Sequence, residues 1–375
     1  MKLRLEVLSP VTISCSYTSI NEIYTVDYIP ATVVRGVLAS AYIKEKGISD
    51  PMQDNLFKEI FLSGKCIFGN LYYNESELLP LSALSCKYSS GFVPDAHGVK
   101  DMVIPWLKND MEGLEYCSQC KAPMDNFRGF YKKEKGYFKK IEVPKRLIAR
   151  TAINPTRETA AHGELFSMEA INEGSFFAGR LHVENGLKDK VLEFLNSREM
   201  RIGTARSRGQ GHCKVFVENK SSTDNLNERF DRFNCLIGDK HTYFSITLLS
   251  DMIIFDKYLR YCSKLTLDTL LEYLSVDSNI LNNFKLDFWI SGTRKISGWN
   301  SAPNVSLPKE DVVTIEKGSV FVFKSSNSLS DEVKTQIASE LQKIPEFIGE
   351  RVTEGFGQVS ICNKFHLEFY EEMKE

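Results

Sequence analysis

The chain has 375 residues, 42% of them hydrophobic and 26% charged, with a formal net charge of −2. This length favours two or three domains, and the composition excludes a disordered chain, a collagen-like repeat and a small disulfide scaffold. The near-neutral balance excludes a polycation that coats nucleic acid but leaves room for a local basic surface, and the short apolar runs supply no transmembrane helix.

From Met1 to Leu8 apolar and charged residues alternate. That period predicts a half-buried strand carrying Leu3, Leu5 and Val7 and excludes the unbroken apolar stretch of a signal peptide. A cytoplasmic protein is expected. The nine cysteines agree, being odd in number and mostly single within apolar segments, where reduced buried thiols are the plain reading. A helix is expected over 31–46, with Val34, Leu38, Ala41 and Tyr42 on one face and Gly47 as its stop.

Upstream of Cys117-Ser118-Gln119-Cys120 lie Cys86 and His97. Three thiolates and an imidazole form a tetrahedral donor set suited to structural zinc. The surrounding stretch holds Gly91, Pro94, Gly98, Pro105, Gly113 and Pro123. It is expected to have little regular structure and a poor core, a lack that metal binding would offset. The plainer reading is a reduced surface pair beside two unrelated residues. His162-Gly163-Glu164 and His182-Val183-Glu184 each read H-x-E, but a zinc deaminase places that motif before P-C-x-x-C. Here the order is reversed and no proline precedes Cys117, which excludes that enzyme.

Arg128, Lys132, Lys133, Lys135, Lys139, Lys140, Lys145, Arg146 and Arg150 follow, opposed only by Glu134 and Glu142. Phe127, Phe130, Tyr131, Tyr137 and Phe138 are interleaved with them. Cations neutralise phosphates and aromatic faces stack on unpaired bases, so this stretch is expected to be a localised nucleic-acid footprint. A solvated loop is the alternative. Residues 150–169 begin as a polar, irregular arm with Arg157, Thr159 and His162, and then alternate like a strand towards Gly174-Ser175-Phe176-Phe177. Such an arm is suited to clamping an extended ligand.

The strongest signal is a duplication. Residues 202–211 read Ile-Gly-Thr-Ala-Arg-Ser-Arg-Gly-Gln-Gly, and 348–357 read Ile-Gly-Glu-Arg-Val-Thr-Glu-Gly-Phe-Gly. Ile202, Gly203, Gly209 and Gly211 match Ile348, Gly349, Gly355 and Gly357 at one offset, and Gly174 to Phe177 resembles Gly318 to Phe321. Two matches in the same order indicate two copies of one unit. A helix is expected before each block, over 188–199 and over 330–343, the second capped by Ser330. A strand follows each block, on Cys213, Val215 and Val217 and on Val359 and Ile361. A strand over 242–249 opens the second copy.

The fold class is therefore α+β: two tandem βαββαβ, ferredoxin-like units with a glycine-rich loop after each second helix. The first unit spans 1–220 with an insertion at about 81–160, residues 221–240 are a linker, and the second unit spans 241–375. Glycine-rich turns expose successive N–H groups that can cradle an anion. The first loop adds Arg201, Arg206 and Arg208, so phosphate binding is expected there; the second is less basic and suits packing or protein contact.

These residues resemble the RAMP superfamily of CRISPR effector proteins. Ile29 to Leu38 resembles its opening helix, and Thr151 to Ile153 with Glu164 to Phe166, Glu169 and Gly174 to Phe177 resembles its central signature. Gly203 to Gly211 and Gly355 to Gly357 resemble its glycine loops. Ser297-Gly298-Trp299-Asn300 followed by Gly318 to Phe323, together with the cysteine-bearing insertion, is similar to the type III-D, Csx-ten group. The resemblance implies a non-catalytic, Cas-five-like subunit of an RNA-guided antiviral complex. Such a subunit holds the 5′ repeat-derived handle of the CRISPR RNA beside the large polymerase-like subunit and a backbone RAMP subunit. The candidate RNA contacts are Arg35, Arg146, Arg150, Arg157, Arg201, Arg206 and Arg208, with Gly203, Gly209 and Gly211 shaping the loop. Two rivals are an endoribonuclease that cuts precursor RNA, with His162 beside Lys145 or Arg150, and an adaptor that binds no RNA.

Overall fold

The computed structural model describes residues 1–19, 22–111, 114–154, 159–219, 225–274, 280–300 and 307–371, and it is a mixed α+β structure with several antiparallel sheets. The chain divides into two compact units: residues 1–76 with 141–221 and 353–355, and residues 77–140 with 222–352 and 356–375.

In the first unit, strand Lys2–Val7 buries Leu3, Leu5 and Val7 completely and leaves Lys2, Arg4 and Glu6 half-buried, as the alternation requires. It lies between strands Phe176–Val183 and His212–Glu218, antiparallel to both. Leu71–Tyr73 pairs with the far side of Phe176–Val183. Numbering these core strands along the chain, the sheet reads fourth–first–third–second, with Arg198–Arg201 added at the fourth strand's edge. The expected helix forms over Ala31–Lys46 and turns Ala31, Val34, Leu38 and Tyr42 inward. Gly47 ends it at φ +62°, donating its N–H to Ile43 O. Its partner Asn55–Phe61 is capped by the Asp54 carboxylate, which accepts the Phe57 N–H.

Residues 145–171 differ from expectation. In place of an irregular arm they form a long antiparallel hairpin, Lys145–Asn154 with Thr159–Ile171, which continues through Glu22–Thr25 and Ser14–Ser19. The backbone hydrogen bonds of this stretch are met by strand pairing, which the polar side chains do not reveal.

In the second unit the core strands are His241–Leu248, Phe284–Ile290, Val320–Ser328 and Val359–Ile361, again in the order fourth–first–third–second. Phe244, Ile246 and Leu248 are fully buried. Tyr243, Ser245 and Thr247, on the other face of that strand, are buried as well, so this strand has no solvent-facing side. Helix Asp331–Gln342 forms as expected with Ser330 at its N-cap position, but the Ser330 side chain makes no capping hydrogen bond. The segment read as a linker holds helix Leu226–Ile237. Phe230, Phe233 and Ile237 recur at helical spacing and are buried in the main cluster of this unit, and Gly238 ends the helix at φ +67°.

Of the stretch read as an insertion of the first unit at about 81–160, only residues 141–160 stay with the first, whereas residues 77–140 pack with the second. Val103, Ile104 and Leu107 join its main cluster with Leu367 and Tyr370 of the C-terminal helix Lys364–Glu371. A buried polar chain ties the pieces together. His366 Nδ1 lies 3.0 Å from Asp101 Oδ2, and His366 Nε2 lies 2.9 Å from Thr247 Oγ1. Ser82 donates its hydroxyl to Asp101 Oδ1 at 2.6 Å, and the Val103 N–H donates to Oδ2. Removing the acceptor strands all three donors in a dry site. Asp101→Ala is expected to destabilise the second unit by about 3 kcal/mol, measured by urea unfolding.

Candidate metal centre and nucleic-acid surface

Strand Ala83–Cys86 pairs with Met124–Asn126, setting Cys86 opposite Met124. Between them the chain doubles back at the C-x-x-C: the Lys121 N–H donates to Cys117 O, and the Cys117 N–H to Ala122 O. The four expected ligands come together here. Cys86 Sγ and Cys120 Sγ are 3.4 Å apart, as are Cys117 Sγ and His97 Nδ1, and all four ligand atoms lie within 4.8 Å of one another. A tetrahedral ion with bonds of ~2.3 Å places its ligands roughly 3.8 Å apart, so this donor set fits one metal ion.

The electrostatics suit metal binding. Burial raises the cost of a thiolate at Cys86. The backbone N–H groups of Ser89 and Tyr88, with Cys120 and His97, outweigh it and bring the thiol down to about 6. At Cys117 burial is likewise outweighed, by the N–H groups of Cys120 and Gln119, and its pKa is lowered. By contrast, burial pushes Cys66 and Cys213 up to about 12, as inert core thiols. The sequence pattern supplied the ligands; it gave no sign of the turn N–H groups aimed at the sulfurs.

The aromatic reading of the basic stretch is overturned. Phe127, Phe130, Tyr131 and Phe138 are buried, and all but Phe130 join Phe92, Phe365 and Phe369 in an aromatic cluster. Their rings pack on one another, Phe138 with Phe369 at 4.7 Å among them, and none is open to a base. Tyr137 alone of the five is exposed. The alternation that looked like a stacking surface is the inward face of hairpin Phe130–Glu134 and Tyr137–Ile141. Its lysines remain outside: Lys133, Lys135, Lys139 and Lys140 are exposed.

The two glycine loops adopt one conformation. In the first, the Ile202 N–H donates to Gly211 O, the Thr204 N–H to Thr12 O and the Gly211 N–H to Pro10 O. In the second, Ile348 donates to Gly357 O, Glu350 to Ile253 O and Gly357 to Asp251 O. Ala205 and Arg351 occupy equivalent places at φ +54° and +53°, each followed by a 3-10 turn and then a glycine, Gly209 or Gly355, at positive φ. A Cβ on Gly203 would overlap Thr12 O, and one on Gly211 would overlap Ile202 O. Gly349 and Gly357 meet Ile253 O and Ile348 O in the same way. Gly211 and Gly357 therefore permit close backbone approach within each loop, and Gly203 and Gly349 permit it against a neighbouring segment. Gly209 faces open space, beside the exposed Arg206 and Arg208.

The other candidate arginines are placed differently. Arg201 is exposed and folds back to donate to Arg206 O at 2.9 Å. Arg35 donates from Nε and Nη2 to Phe61 O, and burial lowers its pKa despite Glu354. It thereby satisfies a carbonyl at the end of helix Asn55–Phe61. Arg146 is exposed and pairs with Glu173, while Arg150 is half-buried opposite Phe166. Arg157 and the His162 side chain lie outside the described residues. Among the described residues, no ion pair engages Arg206 or Arg208.

Residues 4–214 match the model of the RAMP superfamily, more than half of the chain, and the chain belongs to that superfamily. No curated protein matches it. Among solved structures it is similar to a chain of the type III-B Cmr-beta bound to cognate target RNA, with 14% identity, 92% of this chain and 94% of that one covered, and a TM-score of 0.44. A second structure of the same assembly, with target RNA and AMPPnP, matches at 15% identity, 91% and 93% coverage and a TM-score of 0.43. The apo state of Cmr-beta matches at 10% identity over 58% of this chain and 97% of that one, with a TM-score of 0.33.

Proposed function

We propose that the chain is a non-catalytic RNA-binding subunit of a type III-D CRISPR effector complex, acting in antiviral defence. In this reading it consists of two ferredoxin-like units and holds the 5′ repeat-derived handle of the CRISPR RNA. Its neighbours are the large polymerase-like subunit and a backbone RAMP subunit. Membership of the RAMP superfamily supports the setting. The observation that carries the RNA role is the first glycine loop, a rigid turn that presents Arg206 and Arg208 to solvent without a described ion pair. Zinc held by Cys86, His97, Cys117 and Cys120 would fix the fold of residues 83–126 and take no part in chemistry, since four protein ligands leave no open coordination position.

The endoribonuclease reading gains no support from Lys145. Its ammonium lies 2.6 Å from Asp27 and 3.1 Å from Glu169. Burial lowers its pKa, but the two carboxylates outweigh that and hold it above the ordinary value, which makes it a fixed cation and a poor proton acceptor. Binding of single-stranded repeat RNA by an Arg206→Glu/Arg208→Glu variant tests the proposal. Affinity is expected to fall roughly 10-fold or more, and the salt slope to drop by about one per arginine. Unchanged binding and slope would remove the loop from the interface.

A further inference from the structure

A concave site of about 210 Å³ lies beside Cys86 in the second unit. Three cations line it, each from a different stretch of chain. Lys87 directly follows strand Ala83–Cys86, Arg128 follows strand Met124–Asn126, and Lys140 stands on strand Tyr137–Ile141. Ser90 and Asn126 add a hydroxyl and an amide. Asp125 is the lone carboxylate of the lining, and its Oδ1 accepts the Asn126 N–H at 2.8 Å. Arg128 forms an ion pair with Glu316 at 3.6 Å. Buried Phe127 forms part of the wall, with Lys140 Nζ 5.5 Å from its ring centroid.

Three cations, one of them paired with Glu316, and one lining carboxylate around a small concavity with neutral donors favour an oxyanion with several acceptor oxygens. An RNA phosphate meets that description. Lys87, Arg128 and Lys140 are exposed like the loop arginines, but they come from three stretches of chain and line one concavity. The aromatic wall is 5% exposed and offers no face to a base, so the chemistry available here is that of the RNA backbone.

We propose that this pocket binds a phosphate of single-stranded RNA without regard to base. The cysteine-bearing segment is then a second RNA contact of the chain, additional to the first unit's glycine loop. The proposal rests on the RNA-binding reading above. Lys87, Ser90 and Asn126 carry no sequence signal of their own. They meet because the chain turns at Cys86 and because strand Met124–Asn126 lies beside Ala83–Cys86.

The test is fluorescence anisotropy of labelled oligouridylate and oligoadenylate with the full-length, metal-loaded protein, its Arg128→Glu variant and its Lys87→Glu/Arg128→Glu variant. Zinc content and melting curve report on folding, and Arg128→Glu, away from the metal ligands in sequence, carries the test if Lys87→Glu loses metal. The double variant is expected to weaken binding of both RNAs alike by about 10-fold or more, with a salt slope lower by about one per cation. Wild-type affinity in both variants overturns the pocket. If Arg206→Glu/Arg208→Glu still weakens binding in that case, the RNA-binding reading stands without it. Loss for one base alone overturns the backbone contact. Calorimetric titration with inorganic phosphate distinguishes the sources of anion: a protein that binds phosphate in this pocket but shows no RNA affinity overturns both readings in favour of a free-anion site.

Discussion

Purified protein is expected to carry about one equivalent of zinc per chain, and Cys117→Ser to carry almost none and to melt about 10 °C lower. The size follows from what the four residues hold. Cys86, His97, Cys117 and Cys120 tie together three stretches whose shared apolar contacts are few: Cys86, Cys117 and Ala122 form a cluster by themselves, with Met124 against it. Without the ion, thiolates favoured by turn N–H groups are left crowded and unpaired, and the stretch loses its main tie. The aromatic cluster of Phe92, Phe127, Tyr131, Phe138, Phe365 and Phe369 is a separate body of contacts. Hydrogen exchange in the variant should therefore show lost protection around 86–122, with protection kept in hairpin Phe130–Ile141. Melting and exchange unchanged by Cys117→Ser would mean that the cluster is a set of reduced thiols without a structural ion.

The second large effect belongs to the glycine loops. Gly211→Ala and Gly357→Ala each drive a methyl group into a backbone carbonyl, Ile202 O and Ile348 O, at positive φ. Each carbonyl belongs to the residue whose N–H makes the loop's closing hydrogen bond, to Gly211 O or Gly357 O, so relief requires opening the loop. Each substitution is expected to cost about 4 kcal/mol in chemical unfolding. Gly209→Ala meets no atom and pays only the left-handed backbone penalty of about 1–2 kcal/mol. A Gly209 variant as damaging as the Gly211 variant would contradict this account of the loop.

Much of the core was legible because it is written locally. The period-two run at Leu3, Leu5 and Val7, the helical stripe of Val34, Leu38 and Tyr42 with Gly47 after it, and the repeated glycine spacing each specify a local conformation, and the structure has them. Binding and packing were harder to separate. Phe127, Tyr131 and Phe138 sit among lysines, and a hairpin with one buried face produces the same alternation as a stacking surface. What decides between them is a partner more than 200 residues away, the helix bearing Phe365 and Phe369. The same distance hid the link from Asp101 to His366. The helix at Leu226–Ile237 was missed for a different reason. Polar residues surround Phe230, Phe233 and Ile237, so its apolar stripe is narrow within the stretch 221–240 read as a linker.

The four metal ligands were legible as residue types because thiol and imidazole chemistry restricts the possibilities, and the structure adds that they converge. The arginines were not distinguishable in the same way. Arg35, Arg201 and Arg206 read alike in sequence. In the structure Arg35 caps a carbonyl, Arg201 folds back onto its own loop, and Arg206 and Arg208 face solvent. That difference makes the Arg206 and Arg208 pair the sharper probe of RNA binding.

The most direct measurement is to purify the tagged protein from its own cells and sequence the RNA that comes with it. The account predicts short RNAs that share one repeat-derived 5′ end, together with copurifying RAMP subunits and a large polymerase-like subunit. RNA of random sequence, or none, would contradict the guide-complex role and leave a RAMP protein whose glycine loops serve packing alone.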